Sequence, residues 1–203
     1  MQKKISPICF IIDSDNINLV PLALRSGIKW IQYREKKLTK KEIFLKALEL
    51  REITNRFGAC LVINDYADIA LTVDADGVHL GQKDLPLKEA KKIMGDRIIG
   101  ISTRNLYEAI EAQNGGADYI GFGSIFPTDT KSDIIVQGLD HLKEIVSCVK
   151  IPVIAIGGIT VDNVKSVFET GCFGVAASSG LLNGDIKENI SKFLSSLNSY
   201  RPP

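Results

Sequence analysis

Trp30-Ile31-Gln32-Tyr33-Arg34-Glu35-Lys36 begins as an apolar run and ends in charge. Read as a β-strand, it alternates side chains between two faces, so Gln32, Arg34 and Lys36 share one face and Ile31, Tyr33 and Glu35 the other. The first face gathers polar groups at the strand's carboxyl end. A closed α/β barrel builds its active site from such strand ends and the loops that follow them. The competing reading is a solvated charge cluster leading into the next helix. It suits Lys37 better than Arg34, which keeps strand register.

The same arrangement recurs along the chain. Short runs rich in β-branched and aliphatic residues at 8–13, 30–34, 60–64, 77–80, 98–102, 119–123, 153–157 and 174–178 are apolar on both faces, as buried parallel strands are. Amphipathic segments separate them. Thr39 with Glu42 forms a capping box at the start of the longest, which stops near Gly58. Pro86, Asn105 and Thr160 open later helices. An open doubly wound sheet alternates strand and helix as well, but eight units with polar strand ends favour closure. The expected fold is α/β, a single-domain (β/α)8 TIM barrel over residues 1–203, at roughly 25 residues per unit and compact for its class.

Formal net charge is +1 in 203 residues, so no broad basic field draws nucleic acid and any useful cation must act locally. The apolar stretch 8–12 is too short for a signal peptide and stops at Asp13, and no segment has the apolar length of a membrane span. A soluble cytoplasmic protein with no membrane partner is expected, with a homo-oligomer left open. Cys9, Cys60, Cys148 and Cys172 stand singly, without a paired spacing. Buried free thiols are therefore a better reading than a zinc site or disulfide framework.

Asn64 and Asp65 end the third strand, and Asp84 follows the fourth. Either acid alone is an ordinary helix cap. Two on neighbouring strands offer hard oxygen ligands for one Mg²⁺ that also accepts diphosphate oxygens. Asp68, Asp74 and Asp76 are set aside as solvated, structural or at the opposite barrel end. His79 and His141 each stand alone and read as structural groups. Ser102 ends the fifth strand. Thr128, Asp129, Thr130 and Lys131 lie in a long loop after the sixth, where apolar Ile134, Ile135 and Val136 give it the character of a flap. Gly157 and Gly158 after strand seven, and Ser178, Ser179 and Gly180 after strand eight, occupy the usual monophosphate position of a barrel. Two anion sites of different construction suit the joining of a diphosphate substrate to a monophosphate substrate.

These segments together resemble the thiamine phosphate synthase family. The likeness runs from Ile11 to about Leu182 and is carried by Gln32–Lys36, Ile63–Asp65, Gly77–Asp84, Gly100–Ser102, Gly121–Gly123, Phe126–Lys131 and Ile154–Ile159. It implies condensation of 4-amino-2-methyl-5-hydroxymethylpyrimidine diphosphate with a thiazole phosphate (or its 2-carboxy form), releasing diphosphate. By position, Asp65 and Asp84 would bind Mg²⁺. Gln32, Arg34, Lys36, Asn64, Ser102 and Lys131 would surround the pyrimidine diphosphate. Thr128, Thr130, Gly158, Ser178 and Ser179 would hold the thiazole phosphate. The matched segments also bring Tyr33, Glu35 and Asp129 into the substrate-binding set, with Arg34, Lys36, Lys131 and Ser102 as the catalytic group. Arg104, Ser124 and Asp129 depart from the usual histidine, proline and proline, and Ser178-Ser179 is more polar than the usual valine-rich segment. A thiazole tautomerase of the related branch needs a histidine near Arg104 and tolerates a degenerate metal site. A non-catalytic regulator that binds a thiamine precursor would release no diphosphate. A phosphate-sugar isomerase would need an acid/base pair facing one carbon, and no such pair stands out.

Overall fold

A computed structural model describes residues 5–128 and 135–200 of the protein. Strands β1 (Ile8–Ile12), β2 (Trp30–Tyr33), β3 (Cys60–Asn64), β4 (Gly77–Leu80), β5 (Ile98–Thr103), β6 (Tyr119–Phe122), β7 (Val153–Ile156) and β8 (Gly174–Ala177) pair in parallel in chain order. β8 returns to β1, closing the barrel. The strands match the expected runs to within a residue. The difference lies at the carboxyl ends, where most runs leave regular pairing one residue early and turn into loops.

Helices alternate with the strands: α1 (Val20–Arg25), α2 (Lys40–Phe57), α3 (Ala67–Thr72), α4 (Leu87–Met94), α5 (Leu106–Asn114), α6 (Gly138–Cys148), α7 (Val164–Phe168), α8 (Ser179–Leu182) and α9 (Ile186–Ser199). The capping box forms as expected. Glu42 N donates to Thr39 Oγ1 at 3.4 Å while Thr39 N donates to Glu42 Oε2 at 2.8 Å. Asn105 accepts from Glu108 N at 2.9 Å to start α5. Helix α7 begins later than Thr160 because Asn163 ties the intervening residues into a turn. Its Oδ1 accepts from Thr160 N at 2.8 Å and its Nδ2 donates to Gly158 O at 2.9 Å.

Strand alternation divides the core in two. Phe10, Ile12, Ile31, Tyr33, Ile63, Val78 and Phe122 pack outward into one cluster with the helices. Cys9, Trp30, Val62, Ile98, Tyr119, Ile154 and Ala176 fill the barrel interior. Trp30 meets Tyr119 edge-on, with ring centroids 5.0 Å apart. Truncating so large a buried ring costs about 3–5 kcal/mol. Gly100 makes room for Tyr119, since a Cβ there would sit 2.0 Å from its ring.

Cys9 and Cys172 are buried, Cys60 is half-buried and all four thiols are free. Cys148 corrects the expectation of burial. It closes α6 on the solvent side and is exposed. Among the described residues no helix is long and apolar enough to cross a membrane, and no group of three or more His, Cys, Asp or Glu could hold a metal ion.

Candidate active site

The β2 exit divides its side chains as alternation predicts. Gln32 is buried in the barrel interior. Arg34 N donates to Ile12 O at 2.8 Å, extending the ladder to β1 by one residue. Its guanidinium is half-buried, with no ion-pair or hydrogen-bond partner among the described residues. Tyr33 and Glu35 turn the other way. Tyr33 Oη lies 2.8 Å from Ser14 Oγ. Glu35 accepts from the amides of Ser14 at 3.2 Å and of Lys36 and Lys37 at 2.8 Å each. Burial raises the Glu35 carboxyl, but the Ser14 hydroxyl and the three amides outweigh it and hold it at about 2. The structure therefore does not bring Tyr33 and Glu35 into the mouth. They pin the loop that carries Arg34 and Lys36.

Beyond β3 the chain turns sharply. Asp65 takes a left-handed conformation at φ 65°, and its amide donates to His79 O at 2.8 Å. Asn64, the last residue of β3, is buried beside it. Helix α3 begins at Ala67 without a side-chain cap, and the Asp65 carboxylate instead pairs with Lys36 Nζ. After β4, residues 81–84 form a turn in which Gly81 N donates to Asp84 Oδ2 at 2.7 Å. Asp84 does not cap α4, whose start at Leu87 follows Pro86. Both acids are thus released from the helix-capping role that each has in isolation.

The two carboxyls meet. Asp84 is raised above the ordinary carboxylate range by burial first, then by its hydrogen-bonding contact with Asp65 and the charge there. The Gly81 amide and Lys36 ammonium offset this only in part. Two carboxylates so placed either share a proton or need a cation between them. The donor set, two hard oxygens beside Lys36, fits Mg²⁺ held together with a phosphate anion.

Ser102, half-buried near the end of β5, is fixed from two sides. Its Oγ lies 2.8 Å from His79 Nε2, and its carbonyl accepts from Gln82 Nε2 at 2.7 Å.

On the far side the loop after β6 lies across the β7 end. Ile125 N donates to Ile156 O at 2.9 Å and Phe126 N to Gly157 O at 3.1 Å, with the Gly123–Ser124 peptide cis. Gly158 has φ 63°, and a Cβ there would fall 2.4 Å from Pro127 O. The backbone of 158 is thereby held beside the residue preceding Thr128. Gly180 approaches Ile159 O so closely that a Cβ would lie 1.9 Å away, which joins the β7 and β8 loops. Ser178 and Ser179 stand at the start of α8 in that junction. Gly158, Ser178 and Ser179 thus occupy adjoining loops. Asp129, Thr130, Lys131 and Ile134 lie outside the described residues. Ile135 and Val136 are exposed.

The acids set aside in the sequence have other partners. Asp68 pairs with Lys40 at 2.6 Å, Asp74 with Arg97 at 2.7 Å and Asp76 with Arg51 at 2.8 Å. Arg104 faces Glu108 at 3.3 Å. Sequence reasoning missed Tyr119, which lies beneath the site against His79. The signal was present in Gly100 and Gly121, two strand-interior glycines where a neighbouring ring needs space.

The family model described as thiamine monophosphate synthase matches residues 7–181. A thiamine-phosphate synthase of Clostridium novyi (strain NT) is 46% identical over 177 residues, covering 86% of this chain and 87% of that protein. One from Pyrococcus horikoshii is 47% identical over 163 residues, covering 80% and 79%. The solved thiamine phosphate pyrophosphorylase of Pyrococcus furiosus superposes with a TM-score of 0.87 at 38% identity, covering 96% of each chain. With this barrel and these strand-end residues, the chain belongs to the thiamine monophosphate synthase family.

Proposed function

We propose that this chain, as one barrel domain over residues 1–203, joins 4-amino-2-methyl-5-hydroxymethylpyrimidine diphosphate to a thiazole phosphate in the cytoplasm. The observation that carries this reading is the meeting of Asp65 and Asp84, with Lys36 on Asp65. The chain is a transferase of thiamine biosynthesis.

The bond between the pyrimidine methylene carbon and the diphosphate oxygen breaks, and its electron pair leaves with diphosphate. The thiazole nitrogen supplies the pair for the new C–N bond. No protein nucleophile or proton transfer is needed. Asp65 and Asp84 would hold Mg²⁺, which neutralises charge on the departing diphosphate. Arg34 and Lys36, with Lys131 from the β6 loop, stabilise the same oxygens. Gln32, Asn64 and Ser102 orient the pyrimidine. Gly158, Ser178, Ser179 and Thr128, with Thr130, position the thiazole phosphate so that its nitrogen faces the carbon.

The test is diphosphate release on mixing both substrates, each alone, and both without Mg²⁺. Release and thiamine phosphate formation only in the complete mixture are expected. Binding without release would favour the regulator, and isomerisation of the thiazole alone would favour the tautomerase.

A further inference from the structure

Below the mouth, four polar side chains from different strands meet in the barrel interior. Tyr119 Oη on β6 lies 2.9 Å from His79 Nδ1 on β4, whose Nε2 lies 2.8 Å from Ser102 Oγ on β5. Gln32 on β2 lines the same interior space and acts on the same phenol, favouring its charged form. The rings of His79 and Tyr119 stack at 5.5 Å, and Trp30 closes the underside. A Cβ at Gly121 would come within 3.1 Å of His79, so both strand glycines are shaped around this pair.

We propose that Tyr119 is a positioning residue that sets which way round the aminopyrimidine ring lies, by fixing the hydrogen-bond direction between Gln32 and Ser102. This rests on the function proposed above.

Burial keeps the phenol protonated, so it has one hydrogen to give. If that hydrogen goes to His79 Nδ1, His79 carries its own on Nε2 and donates it to Ser102 Oγ. The Ser102 hydrogen is then free to point into the mouth as a donor. Gln32 acts on Tyr119 in the sense of a donor, which leaves its carboxamide oxygen as an acceptor.

The floor therefore presents an acceptor on β2 and a donor on β5. The amidine edge of an aminopyrimidine is the complement, with an amino group that donates beside a ring nitrogen that accepts. In the substrate the amino-bearing carbon lies next to the carbon carrying the methylene diphosphate. With the amino group on Gln32, the diphosphate falls toward Arg34, Lys36 and Asp65 at the β2 and β3 ends. The reverse direction would turn the leaving group away from those charges.

Tyr119→Phe keeps the ring and removes the phenol oxygen. The expected result is a drop of about tenfold or more in kcat/KM for the pyrimidine diphosphate, with KM for the thiazole phosphate changed less than about twofold. Ser102→Ala should cost much less in the Tyr119→Phe background than in wild type, because the two act as one chain. His79→Asn keeps a polar atom toward Tyr119 but loses the reach to Ser102, and should reproduce the loss if Tyr119→Phe does not fold. Wild-type kinetics in the variants, or costs that simply add, would overturn the inference. A wild-type protein without turnover would instead overturn the function on which it rests.

Discussion

Asp84 and Asp65 leave two different βα loops and bring their carboxyls into hydrogen-bonding contact, close enough that Asp65 disfavours charge on Asp84. A fold does not keep an electrostatically unfavourable pair at its mouth for stability. The arrangement stores a demand for positive charge, which Lys36 meets only in part.

Asp84→Asn removes that conflict. Metal-free protein should melt no lower than wild type, while turnover falls about a hundredfold or more, as loss of one preorganised charge contact does. Thermal denaturation and diphosphate release, measured on the same preparation, check both halves.

Among the described residues the Arg34 guanidinium has no partner, and its proposed role is to bind a phosphate oxygen. Arg34→Lys keeps the charge and loses the planar fork, so kcat/KM for the pyrimidine diphosphate should fall about tenfold. Lys131→Ala should lower turnover by more than about tenfold on the same argument. Steady-state kinetics with each substrate varied in turn decide both.

Glu35 makes a prediction about pH. Its carboxyl is held at about 2 against an ordinary value of 4.5, so its ionised form stabilises the fold by up to about 3 kcal/mol. The sign follows from a depressed folded-state value: the contribution is complete above about 4.5 and is lost as pH falls toward about 2. Urea midpoints for Glu35→Gln should lie below wild type at neutral pH and converge with it in that acid window. A gap independent of pH would show that the hydrogen bonds to Ser14, Lys36 and Lys37 do not act through the charge.

Gly158→Ala places a methyl against Pro127 O at a backbone angle that side chains rarely adopt. KM for the thiazole phosphate should rise severalfold while pyrimidine diphosphate binding, read by calorimetry, stays near wild type.

The barrel and most of its mouth were legible in sequence because parallel strands announce themselves as short apolar runs and the polar residues follow them. Asp65 and Asp84 each carried a capping alternative that no local reading removes. Only the left-handed turn at Asp65 and the Gly81–Asp84 turn show that both carboxyls face inward instead. Tyr33 and Glu35 could be separated from Gln32 and Arg34 by alternation, but their common partner, Ser14, lies on another loop and has no sequence signature. Likewise His79 and Tyr119 are unremarkable alone. Their contact depends on register across β4, β5 and β6, with two glycines that had no evident purpose until the rings were placed.

The central claim is that one divalent ion sits between Asp65 and Asp84 against the pyrimidine diphosphate. Calorimetric titration of Mg²⁺ into protein saturated with that diphosphate tests it directly, with wild type compared to Asp65→Asn and Asp84→Asn. One ion bound per chain in wild type, and strongly weakened binding in both variants, is the predicted result. Undiminished Mg²⁺ binding in either variant would contradict it.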